Sequence, residues 1–276
     1  MKYRYQWLLV IALMGGVYLS VMYINPYGGK IVLSEAVLQL SGSRGSFVLG
    51  FSSSELASFA MRLFPAFIFE AYAGIMLYRH FCTASIYVFS RYPHRVKWYM
   101  GEAFHLSGAV CGFHLILLVT AIFTAAIRCE LEIDRAGIAL MGYHFLIYSA
   151  WAYIMALLVN LLAIYWGSSA AYASVVSGQL VCIVLLSLMD LLVRYYDGGL
   201  FYENLLVWNP IAHLVLGWHD NSMEIVEPNL MSSYMQLGLN ASLFLLLLIG
   251  VVITFVGAFI IKKHDLLVSD LEMEAA

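Results

Sequence analysis

Apolar residues in this 276-residue chain are gathered into long blocks rather than alternating with polar ones. Six blocks are long enough to cross a bilayer, which takes roughly 20 apolar residues in a helix. They fall at about 7–24, 56–79, 103–127, 138–165, 172–193 and 238–261. The fourth is long enough to tilt or to begin above the membrane. The blocks lack the two-residue alternation of barrel strands. The pattern therefore predicts an all-α polytopic membrane protein, one transmembrane domain over residues 1–276, with no soluble domain.

The polar interruptions predict smaller elements. Between the first two blocks, Ile31 to Leu40 reads as a short interfacial helix. Before the last block, Asn209-Pro210 pairs an N-cap residue with proline at the first helical position. Ile211 to Trp218 should then form a short apolar helix, interfacial or re-entrant. The first block follows Lys2 and Arg4, yet no small-residue cleavage site follows it, so it is expected to stay as a span.

Composition agrees with this class: 63% of residues are hydrophobic and 11% charged, against about a quarter charged in soluble domains. The net charge of −3 points to no nucleic-acid partner. Cys82, Cys111, Cys129 and Cys182 follow no metal or disulfide spacing and read as small hydrophobes, with Cys129 in an external loop. Charge decides orientation. With the N-terminus inside, the inner side carries Lys2, Arg4, Arg79, Arg91, Arg95, Lys97, Lys262 and Lys263. Most acids then lie outside, so the positive-inside rule places both termini in the cytoplasm.

Polar residues inside the blocks are costly and mark structure or function. The second block holds Arg62, Pro65 and Glu70, and the fifth holds Asp190. Arg62 and Asp190 are at similar depths and could pair; Glu70 has no evident partner. These groups either hold the helices in register or line a substrate or ion pathway. In the third block Gly108 and Gly112 form a G-x-x-x-G pattern, which lets a neighbouring backbone approach. His114 and His144 could reach one depth as axial ligands of a haem, although hydrogen bonding within the bundle explains them as well. No phosphate-binding loop, zincin motif or metal cluster is present. Any ATP energy must come from another chain.

One hydrophilic segment stands out. Arg79 to Tyr99, between the second and third blocks, gathers four cations with several aromatic rings. Thr83 to Ser90 can form two helical turns, and Pro93 disfavours continuation through Tyr92. Positive-inside anchors and an aromatic belt would look much the same. The arrangement nevertheless resembles the permeases of type-2 ABC exporters. It is similar to small six-span permeases beside bacterial peptide-antibiotic systems, in Ala84-Ser85-Ile86-Tyr87-Val88-Phe89-Ser90-Arg91 and Arg95-Val96-Lys97-Trp98-Tyr99.

That resemblance implies a coupling helix seated in a groove of an ATPase subunit. Ser85, Ile86, Tyr87 and Phe89 would fill the groove, while Arg91, Arg95 and Lys97 would meet its acidic groups. It further implies two ATPase subunits holding ATP and Mg, a second permease chain, identical or different, and a bacterial plasma membrane. The chain itself would be non-catalytic and hold no cofactor or metal. It also implies short external helices around 201–218. Two other classes compete. One is a haem protein built on His114 and His144. The other is a membrane-embedded lipid-modifying enzyme using Glu70, or Asp220 with His219, as acid–base groups.

Overall fold

The computed structural model describes residues 2–42, 53–87, 94–196, 207–219 and 238–263. The elements in order are α1 (Lys2–Tyr23), β1 (Gly29–Val32), α2 (Leu33–Ser41), α3 (Ser53–Tyr87), α4 (Arg95–Arg128), β2 (Cys129–Glu132), α5 (Arg135–Trp166), α6 (Ser168–Tyr196) and α7 (Leu239–Lys263). Two 3-10 turns, Ala212–Leu214 and Leu216–Trp218, precede α7. Six of the described helices are long and apolar enough to span a membrane. Each corresponds to one of the six apolar blocks. The chain is an all-α polytopic membrane protein.

The hub is α5. Two thirds of its span (67%) is buried in the bundle, against 28–44% for the other five. It packs on α2, α3, α4, α6 and α7. Around it α1 lies along α4, and α3 lies against α6. Between the consecutive helices α3 and α4 the backbones approach little, and side chains bridge them, with the Phe69 and Phe113 ring centroids 4.7 Å apart. α3 thus reaches the core shared by α1 and α4 through Phe69 and Ala73, besides packing on α5 and α6.

Close helix crossings depend on glycine, though not at the expected pair. A side-chain carbon at Gly16 of α1 would sit 2.5 Å from the Leu117 carbonyl oxygen of α4, and one at Gly74 of α3 would sit 2.7 Å from Val159 of α5. At Gly108 and Gly112 nothing lies within 4 Å. The G-x-x-x-G pair mediates no close approach among the described residues. α3 runs continuously through Pro65, whose ring packs against Gly15 of α1, where a side chain would collide.

One end of the bundle, the strand end, carries structure that the apolar blocks did not announce. β1 and β2 pair in parallel, with Gly29 opposite Cys129 and Val32 opposite Glu132. The entry to β1 turns through Asn25, Gly28 and Gly29, all at positive φ. Cys129 is buried at the start of β2 rather than lying in an open loop. The helix expected near Ile31–Leu40 forms as α2, but it is largely buried against α5 rather than resting on an interface.

The segment before α7 is likewise buried. Ile211 to Trp218 forms two 3-10 turns, not one α-helix, since Val215 adopts an extended conformation between them. Asn209 caps it as expected: its Oδ1 accepts the Ile211 N–H at 3.0 Å. Its Nδ2 donates to the Cys182 carbonyl of α6 at 2.9 Å. Ile211 through Trp218 are inaccessible to solvent and form a plug among α2, α5 and α7.

Candidate functional site

The opposite end is dominated by the α3–α4 hairpin. At 1.5 Å per residue, the 35 residues of α3 and the 34 of α4 are each about 50 Å long, well beyond the roughly 30 Å hydrocarbon core. No glycine or proline interrupts the chain between His80 and Tyr87, so Thr83–Tyr87 continue α3 instead of turning into a separate transverse helix. Ser85, Ile86 and Tyr87 belong to that last stretch of α3, with side chains outside the described residues, and Phe89 and Arg91 lie outside them altogether. Arg95 opens α4 half-buried, and Lys97 is exposed.

Two contacts brace this hairpin. His80 Nδ1 on α3 lies 3.4 Å from Glu102 Oε2 on α4, in a small cleft of about 150 Å³ that α1 helps to line. Nearer the bundle centre, Asn160 of α5 pins α3: its Oδ1 accepts the Tyr78 N–H at 2.8 Å, and its Nδ2 donates to the Ala156 carbonyl at 2.7 Å. Gly74 against Val159 adds to this pin, so α3 is held on α5 over residues 74–78.

Glu70 lies within the span and is fully buried. The partner absent from sequence reasoning is Gln179 of α6, whose Nε2 donates to Glu70 Oε2 at 2.7 Å. Trp151 Nε1 of α5 donates to Gln179 Oε1 at 3.2 Å and so fixes the amide with its N–H toward Glu70. Glu70 Oε1 has no partner among the described residues. The glutamine was a usable signal, as a lone amide in an otherwise apolar block.

Arg62 turns toward the strand end. It donates to the Gln39 carbonyl in the last turn of α2 and lies 4.1 Å above the Tyr23 ring. A cation at a helix C-terminus complements the helix dipole. The backbone of Asp190 is part of α6, while its side chain, and with it the expected Arg62–Asp190 pair, lies outside the described residues. His114 and His144 are both buried. His114 Nδ1 donates to the Val110 carbonyl, and His144 stacks on Tyr148 with centroids 4.1 Å apart.

A second polar cluster was missed in the sequence. Ser242, in the first turns of α7, lies between two imidazoles of the plug: Oγ is 2.9 Å from His213 Nδ1 and 2.8 Å from His219 Nε2. The far nitrogens donate to carbonyls, His213 Nε2 to Val207 and His219 Nδ1 to Val215, both at 3.0 Å. Carbonyls only accept, so both nitrogens facing Ser242 carry lone pairs, and the hydroxyl has one proton for the two of them. All three side chains are buried. Burial lowers the pKa of both histidines, that of His219 to about 4 with a further push from His213. Sequence separation of 23 and 29 residues hid this clasp. Asp220, the expected partner of His219, lies outside the described residues.

With this geometry in hand, comparison with known proteins adds nothing further. No family model, curated protein or solved structure matches the chain.

Proposed function

We propose that the chain is the membrane-spanning permease subunit of an ATP-driven transporter of the ABC exporter class. The observation that carries the reading is the α3–α4 hairpin. It outgrows the bilayer at the end rich in Arg79, Arg91, Arg95 and Lys97, and its legs lead mainly to different neighbours, α3 to α5 and α6, α4 to α1 and α7. A push on its tip is transmitted along both legs, with the Asn160 pin as fulcrum. ATPase subunits supply the push, holding ATP and Mg themselves. A second permease chain completes the complex in the plasma membrane of a bacterium, with both termini cytoplasmic. The plug at the strand end is then the outer gate, and an apolar or amphipathic cargo leaves beneath it.

The test is co-purification with an ATPase encoded beside the chain, followed by Tyr87→Glu and Phe89→Glu. Loss of assembly and of stimulated ATP hydrolysis is expected, with the folded chain still in the membrane. Unchanged assembly and hydrolysis would remove the coupling role. A membrane-embedded hydrolase is the second reading, and Ser242 beside His219 favours it, as a nucleophile within reach of a base. Against it, the hydroxyl is fully buried among the described residues. Fluorophosphonate labelling of Ser242 in the isolated chain would decide for the hydrolase; absence of labelling leaves the cluster as a structural clasp.

A further inference from the structure

A lateral cleft of about 380 Å³ opens between α4, α5 and α7. Each helix contributes one face: Ala103 and Ser107 on α4, Ser149 and Tyr153 on α5, Gly250 and Thr254 on α7. Its floor is buried, while Phe104 and Phe255 stand exposed at its rim. Gly250 keeps it open, since a side chain there would point toward the Tyr153 ring. All three helices are spanning segments, so the cleft faces the hydrocarbon and is reached from the bilayer.

Its lining is apolar and uncharged apart from a few hydroxyls, whose protons can be assigned. Thr254 Oγ1 donates to the Gly250 carbonyl at 2.7 Å. Its proton is thereby committed, so the contact at 2.9 Å is a donation from the Tyr153 hydroxyl to Thr254. The Tyr153 oxygen keeps accepting capacity and has no proton left to give. One helical turn away, the Ser149 hydroxyl is buried with no partner among the described residues. An unpartnered hydroxyl away from water costs on the order of 1–3 kcal/mol, which a ligand can recover. The cleft thus offers one donor and one acceptor on adjacent turns of α5, inside a volume typical of small-molecule sites.

We propose that this cleft binds a bilayer-dissolved molecule with a long apolar chain and one neutral group that both donates and accepts a hydrogen bond, an amide or a hydroxyl. The carbonyl or hydroxyl oxygen accepts from Ser149, and the N–H or O–H donates to the Tyr153 oxygen. That this molecule is the cargo rests on the transport reading; its binding does not.

The experiment uses the full chain in lipid nanodiscs without any ATPase. The probe is an N-methyl fatty amide carrying a mid-chain diazirine, compared with the matching diazirine hydrocarbon. Saturable labelling of the α4, α5 and α7 faces by the amide is expected, with competition by unlabelled amide and not by hydrocarbon. Ser149→Ala should weaken binding about fivefold, the value of one hydrogen bond, without loss of stability, because the hydroxyl has no partner to lose. Gly250→Phe should abolish labelling by filling the cleft, and Gly108→Phe, on the open face of α4, should leave it intact. Labelling that does not saturate, or that the hydrocarbon matches, overturns the proposal, as does cross-linking that shows a second chain covering the cleft. Saturable binding without a co-purifying ATPase would refute the transport reading and leave the cleft standing.

Discussion

Acidifying the strand end should release the plug from α7. The folded-state pKa of His219 is about 4, against about 6.5 for a free imidazole. A docked histidine that binds protons less readily than a released one loses stability as pH falls from 6.5 toward 4. The full loss is on the order of 3 kcal/mol; at pH 5 it is about 2 kcal/mol, roughly a thirtyfold shift toward the released state. A proton would also complete the network at Ser242, but one added hydrogen bond is worth only about 1 kcal/mol and does not offset the burial of a charge. Among the described residues, the titratable group that acts on His219 is His213. Hydrogen exchange of the 207–219 amides in nanodiscs, corrected for the intrinsic pH dependence of exchange, reads the release directly. Faster corrected exchange at pH 5 than at pH 7 is expected in the wild type. His219→Gln should flatten most of the response, and His213→Gln with His219→Gln all of it. An unchanged wild-type profile, or a response that survives in the double variant, would refute the reasoning.

Other perturbations test the packing. Gln179→Leu strips Glu70 of its donor inside the span, and thermal unfolding in detergent should show a loss of about 1–3 kcal/mol; Glu70→Gln in the same background should restore part of it. Gly16→Ala forces α1 away from the α4 backbone and should cost about 1–3 kcal/mol, whereas Gly108→Ala, with open space around it, should be nearly neutral by the same measurement. Arg62→Met removes the donor at the C-terminus of α2 and the cation above Tyr23, so exchange at residues 37–41 should rise while the spans hold.

Much of the fold was legible because lipid imposes a length on apolar blocks, and the six spans follow from it. The Asn209 cap was legible because capping is a local interaction. What escaped was long-range. β1 is only four residues of mixed character and pairs with a strand one hundred positions away. The Ser242 clasp joins residues on two elements, and Gln179 meets Glu70 only once α6 has packed on α3. The glycines of α4 misled for a different reason: their spacing defines a smooth face, and nothing in the spacing says whether that face turns inward. The site was legible mainly as a place, the basic hairpin, and less as a geometry.

The parallel strand pair also constrains how the protein is made. β1 follows α1, and β2 follows α4, so two membrane crossings lie between them. An even number of crossings returns the chain to the side it left. Should α3 or α4 fail to insert, the two strands would end on opposite sides of the bilayer and could not meet. The four-residue ladder therefore acts as a parity check on insertion, closing only after the third span has been threaded in the correct direction.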